Sequence, residues 1–203
     1  RKLKGREKVK VVCMDLSSPF RNLVQRLFPH AKIVADRFHV IRLIIDTFHE
    51  FCKAADPEIK WKRGITCALR TKGANLRPAQ RQLLEKEFAR HPAIQTAYEF
   101  KEELCSLLSI KERKRANCIP LLEKLKEMVW QMLHEAPEIF KKLGRTIRQW
   151  FEPIIRMWRF TKSNGITEGF HRKMKLIQRR AYGYRNFQNY RLRVLIECGH
   201  IVI

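Results

Sequence analysis

Three carboxylates stand where their chemistry would be felt. Asp15 and Asp36 each close a short apolar run, and Glu168 is the one acid among eleven lysines and arginines from Arg156 to Arg193. Carboxylates hold hard divalent cations, which prefer oxygen ligands, while surrounding basic side chains hold a phosphate backbone. Metal ions held in this way activate the attacking and leaving oxygens of a phosphodiester. A plainer account of Glu168 stands beside that one: an acid in the first turn of a helix interacts favourably with the helix dipole and pairs with Arg172 four residues on.

The elements that must position these groups follow from hydrophobic period. "VKVVCM" is a valine-rich run of strand length that stops at Asp15. "SSPFRNLVQRLF" follows as a helix, with Ser17 or Ser18 as N-cap, Pro19 in the first turn and Phe20, Leu23, Val24 and Leu27 on one stripe. "AKIVA" is a second strand, stopping at Asp36. Two short strands joined by one helix predict parallel neighbours, with Asp15 and Asp36 at the same carboxyl edge. In open α/β sheets ligands bind at that edge.

After Asp36 the period is helical. Phe38, Ile41, Ile45, Phe48 and Cys52 form one stripe, and four or five amphipathic helices follow, punctuated by Pro78, Pro92, "SIKERKR" and Pro137. The stripe Ile139, Leu143, Ile147, Trp150, Ile154 and Trp158 is core packing. The expected fold class is α/β and mostly helical: a βαβ unit over residues 1–55, an all-helical insertion over 56–145, and a final helix with a basic C-terminal segment over 146–203. That final helix is expected after a turn at Asn164 and Gly165, with Thr167 as cap and Phe170, Met174, Ile177 and Ala181 as its apolar stripe. Arg172 and Lys175 share the Glu168 face, whereas Lys173, Arg179 and Arg180 cannot all do so at 100° per residue. "AYGYRNFQNY" interleaves aromatics with Arg185 and Asn186. Those rings either stack on unpaired bases or pack the last segment.

Composition narrows the partners. The 203 residues carry a formal charge of +23 with 45% hydrophobic residues, enough apolar surface for a core and the electrostatic footprint of a nucleic-acid binder. An acidic membrane surface is the alternative partner. No apolar run approaches the roughly 18 residues of a bilayer span, and "RKLKGREKVK" is followed by no signal-peptide apolar region, so a soluble, intracellular protein is expected. The six cysteines form no CxxC pair and are expected as small buried side chains rather than zinc ligands.

"VVCMDLSSPFRNLVQRLFPHAKIVADRFHVIRLI", "LRPAQRQLLEKEFARHPAIQTAYEFKEELCSLL" and "SNGITEGFHRKMKLIQRRAYGYRNFQNYRLRVL", in this order, closely resemble the DDE transposases of bacterial insertion sequences, in the branch known as ISL-three. The resemblance covers residues 9 to 197. It implies a ribonuclease H-like catalytic domain interrupted by a helical insertion, in which an Asp, Asp, Glu triad binds two Mg2+ (or Mn2+) ions for DNA cleavage and strand transfer. By motif, Asp15 matches the second aspartate and Glu168 the glutamate, both as metal ligands. Asp36 and His39 match a D-x-x-H signature with a supporting role, a structural histidine being the other reading of His39. Asn164, Arg172, Lys173, Lys175, Arg179, Arg180 and Arg185 are the expected DNA contacts. Transposon-end and target DNA are the implied partners, with homo-oligomerisation of the full-length protein and a cytoplasmic, nucleoid-associated bacterial setting. The triad's first aspartate should lie on an earlier strand, yet residues 1–14 hold one acid, Glu7. The chain by itself is therefore expected to lack strand-transfer activity, and a non-catalytic DNA-binding or regulatory transposase fragment is the alternative. A helical protein for RNA or ribosome association is a third reading, disfavoured by the placement of Asp15 and Glu168.

Overall fold

The computed structural model describes residues 5–160 and 165–199, without the side chains of Ile166 and Thr167. The chain divides into two compact units, residues 1–162 and 163–203. Most of the described residues are helical, and the strands form a two-stranded parallel sheet, consistent with the α/β expectation.

In the first unit, β1 (Val11–Met14) pairs with β2 (Lys32–Ala35) in parallel, from Val11 opposite Lys32 to Met14 opposite Ala35. The linking helix α1 (Ser18–Leu27) starts as the sequence predicts, with Pro19 in its first turn. Ser17 has the extended N-cap backbone, but its side chain makes no capping bond. Helix α2 (Arg37–Ala55) begins directly after β2, capped by the Asp36 side chain, which accepts a hydrogen bond from the Phe38 amide at 2.9 Å.

The buried face of α2 differs from the expected stripe. It runs through Val40, Ile44, Phe48 and Cys52, and Phe38 is exposed. Each of those four is one turn from the next, so the stripe is a straight i, i+4 row, and Phe38 at the second helical position falls outside it.

Helices α3 (Arg63–Arg70), α4 (Pro78–Arg90), α5 (Pro92–Ser109), α6 (Cys118–His134), α7 (Glu138–Gln149) and α8 (Phe151–Arg159) complete this unit. Pro78 and Pro92 open α4 and α5, positions where a missing amide costs nothing. Pro153 is the third residue of α8 and cannot donate to the Gln149 carbonyl, which instead accepts from Arg21 Nη1 at 3.1 Å. The core gathers Phe48, Leu104, Leu108, Ile147, Trp150, Ile154 and Trp158. Leu143, Ile147, Trp150, Ile154 and Trp158 of the expected stripe are all buried, and Trp158 donates to the Leu107 carbonyl at 3.0 Å.

The second unit is a pair of packed helices, α9 (Gly165–Arg180) and α10 (Phe187–Cys198), with Ile177 buried. Phe170 and Ala181, expected on the apolar stripe of α9, are exposed.

Candidate metal and nucleic-acid site

The parallel pairing of β1 and β2 brings the residues that follow them to one edge. Asp15 comes directly after β1, Asp36 directly after β2, and His39 lies in the first turn of α2. Backbone bonding fixes the edge: the Asp36 amide donates to the Met14 carbonyl at 2.7 Å, extending the ladder by one residue. Arg37 holds the start of α2 against α8 by donating through Nη2 to the Met157 carbonyl at 2.6 Å and to the Ile110 carbonyl at 3.2 Å. Sequence reasoning passed over Arg37, because an arginine at a helix start has no local signal that it reaches carbonyls more than seventy residues away.

Asp15, Asp36 and His39 each turn a donor atom into a space where all three lie within 4.8 Å of one another. His39 Nδ1 is 3.1 Å from Asp15 Oδ1 and 3.9 Å from Asp36 Oδ2. Asp36 is 2% exposed, while Asp15 is about half exposed, so the group opens to solvent on the Asp15 side. Neither Asp15 Oδ1 nor His39 Nδ1 is aligned in a hydrogen bond, although both atoms are buried. Buried polar atoms that converge with no aligned hydrogen bond could accept a cation, and the Asp15 oxygen suits a hard divalent ion. The Cys13 thiol is pushed up to about 11, by burial and then by the charges of Asp36 and Asp15. With no metal bound, the thiol is therefore protonated at neutral pH.

The second unit carries the remaining candidates. Glu168 lies in the first turn of α9 and is partly buried. Arg172, Lys173, Lys175, Arg179, Arg180 and Arg185 are all exposed. Lys173 Nζ donates to the Glu197 carbonyl in the last turn of α10, so this lysine is partly engaged within its own unit. Asn164 lies outside the described residues.

The aromatic segment after α9 resolves into two kinds of residue. Tyr184 and Tyr190 pack on each other, ring centroids 5.3 Å apart, whereas Tyr182 is fully exposed and Phe187 mostly so. Tyr182 also has φ 51, and Gly183 beside it φ 98. A tyrosine held in the left-handed region with its ring in solvent is a strained, unburied aromatic, a feature that composition and period do not reveal.

A family model described as "Transposase", for the ISL-three DDE group, matches residues 1–194. A transposase for insertion sequence element IS1001 from Bordetella parapertussis is 22% identical over 93% of this chain and 47% of its own length. A Lactococcus lactis protein named ATP-dependent protease is 28% identical over 55% of this chain and 33% of its own length. The chain thus spans less than half the length of either relative. No solved structure matches it.

Proposed function

Because the chain belongs to the ISL-three family of DDE transposases, we propose that it forms part of a transposase catalytic domain with a ribonuclease H-like core. Residues 1–55 contribute the βαβ part of that core, residues 56–145 the helical insertion, and residues 146–203 the final catalytic helix and basic tail. The observation that carries this reading is the convergence of Asp15, Asp36 and His39 at the carboxyl edge of two parallel strands. By the family pattern, Asp15 and Glu168 are assigned to hold Mg2+ or Mn2+. When bound, a metal pair supplies Lewis-acid activation of the oxygens that enter and leave the phosphodiester in DNA cleavage and strand transfer.

The chain's own residues do the rest. Asp36 fixes the start of α2 through its cap, and His39, beside Asp15 at the same edge, takes the supporting role of the D-x-x-H signature. Arg172 and Lys175 grip backbone phosphates on the Glu168 face, with Asn164, Lys173, Arg179, Arg180 and Arg185 extending the contact. The exposed rings of Tyr182 and Phe187 are the aromatic surfaces available to stack on unpaired bases. The 203 residues hold two of the three carboxylates that the pattern assigns, so by themselves they are expected to carry out no strand transfer. The protease name of the Lactococcus relative belongs to a protein matched over 33% of its length and is said of that protein alone.

The exposed basic row of α9 favours a second reading, a non-catalytic DNA-binding or regulatory transposase segment. Titrating labelled duplex and single-stranded DNA with and without Mg2+ or Mn2+, on the unmodified chain and on Asp15→Asn and Glu168→Gln, separates the two. Metal-dependent binding that both substitutions weaken is the expected result. Metal-independent, salt-sensitive binding that is the same in all three proteins would leave only the basic surface as functional.

A further inference from the structure

A second convergence of donor atoms lies within the helical insertion, where three segments meet. Asp56 caps a 3-10 turn (Pro57–Trp61) after α2, Glu87 lies in the last turn of α4, and His91 joins α4 to α5. Asp56 Oδ1 accepts from the Glu58 amide at 2.9 Å, and Oδ2, which accepts from Lys62 Nζ at 3.4 Å, also approaches the other two residues. His91 Nε2 lies 3.8 Å from Asp56 Oδ2 and 3.8 Å from Glu87 Oε1. The three atoms all lie within 4.8 Å of one another. Glu87 is 1% exposed, and its Oε1, aimed into this space, makes no hydrogen bond. A buried carboxylate oxygen in that condition is costly unless a cation meets it.

We propose that Asp56 Oδ2, Glu87 Oε1 and His91 Nε2 form a structural site for a divalent transition ion of the zinc class. Both nitrogen-to-oxygen distances are too long for hydrogen bonds. They exceed by a few tenths of an ångström the roughly 3.4 Å between ligands of a tetrahedral ion with bonds of about 2.1 Å. Glu87 and His91, four residues apart, are brought together at the end of α4 by the His91 amide bond to the Glu87 carbonyl at 2.9 Å. One imidazole and two carboxylates favour a borderline transition ion over Mg2+, and three protein ligands leave a fourth position for water. Lys62 Nζ now neutralises the solvent side of Asp56, 3.4 Å from its Oδ2, and is equally close to Glu58 Oε2 at 3.3 Å. An arriving ion displaces the ammonium toward Glu58. The bound ion fastens the end of α2 to the α4–α5 corner, independently of Asp15 and Glu168.

Cobalt(II), a visible-absorbing substitute for zinc, tests the site in the Asp15→Asn chain, so that binding at the other cluster is not counted. Weak nitrogen- and oxygen-type bands that saturate at a single equivalent are expected. Affinity should fall by about tenfold or more in both Glu87→Gln and His91→Ala. Lys62→Ala, which removes the competing cation, should bind more tightly. Glu87→Gln keeps the shape of the buried side chain, so the result stands even if His91→Ala folds poorly. Absence of saturable binding, intense thiolate-to-cobalt absorption, or unchanged affinity in Glu87→Gln would overturn the assignment.

Discussion

Two single residues show how local conformation and titration set the properties of this chain. Tyr182 holds a left-handed backbone at φ 51 with its ring in solvent. Tyr182→Gly should stabilise the second unit by up to about 1 kcal/mol, since glycine carries no Cβ penalty there. The same change should weaken single-stranded DNA binding by about 1 kcal/mol, the lower end of what one stacked base contributes. Opposite signs in a melt and a titration would identify the ring as a contact; parallel signs would make it an ordinary helix end.

His49 is buried, with Nδ1 3.5 Å from Arg70 Nη2 and Nε2 without a hydrogen bond. Its pKa is lowered from 6.5, by burial first and then by the charges of Arg70 and Lys53, against a smaller opposing effect of Asp46. As pH falls through 6.5 the unfolded chain takes up the proton before the folded one does. The contribution of neutral His49 is thus complete above 6.5, shrinks below it, and has gone once pH passes the lower folded value. His49→Leu should flatten the stability curve over that window, and chemical denaturation on either side of pH 6.5 would measure it.

At the scale of elements, α8 closes one side of the small sheet. It packs on β2, and Arg156 Nη1 donates to the Ile33 carbonyl at 3.2 Å, so the outer edge of β2 is covered. Among the described residues β1 pairs with β2 alone, and its other edge is the place where a further strand would add. The α6–α7 pair depends on a close approach at Gly144, where a Cβ would sit 3.1 Å from Met132 Cβ and 3.2 Å from Leu133 Cδ2. A branched side chain needs more room than these neighbours leave. Gly144→Val should destabilise the first unit by about 2–3 kcal/mol through overpacking, observable as a lowered denaturation midpoint with unchanged slope.

For the whole molecule the dominant quantity is the charge of +23. On the proposed function, the exposed basic side chains of the second unit would make DNA affinity a matter of counterion release. Five phosphate contacts would give a log-log salt slope of about −4.5, and loss of any one, as in Arg172→Ala, should reduce its magnitude by about 0.9. A slope near zero would assign the charge to some other purpose.

Much of the site's framework was legible along the chain. Valine-rich runs ending at Asp15 and Asp36, a helix between them, and an acid at the head of a basic helix are local patterns. Strand period, cap chemistry and proline position act over a few residues, so the sequence alone determines them. The same locality explains the misses. Phe38 carries the right residue type for a core stripe, but which side of α2 is buried was decided by the helices that pack on it. The carbonyl released by Pro153 finds Arg21, and Glu87 and His91 meet Asp56 across more than thirty residues, because the insertion folds these segments together. "EFARH" displayed the helical spacing of Glu87 and His91, yet nothing local announced their third partner. Periodicity fixes what each segment becomes; only the tertiary structure, through the shape complementarity of distant surfaces, decided which polar atoms were left facing one another.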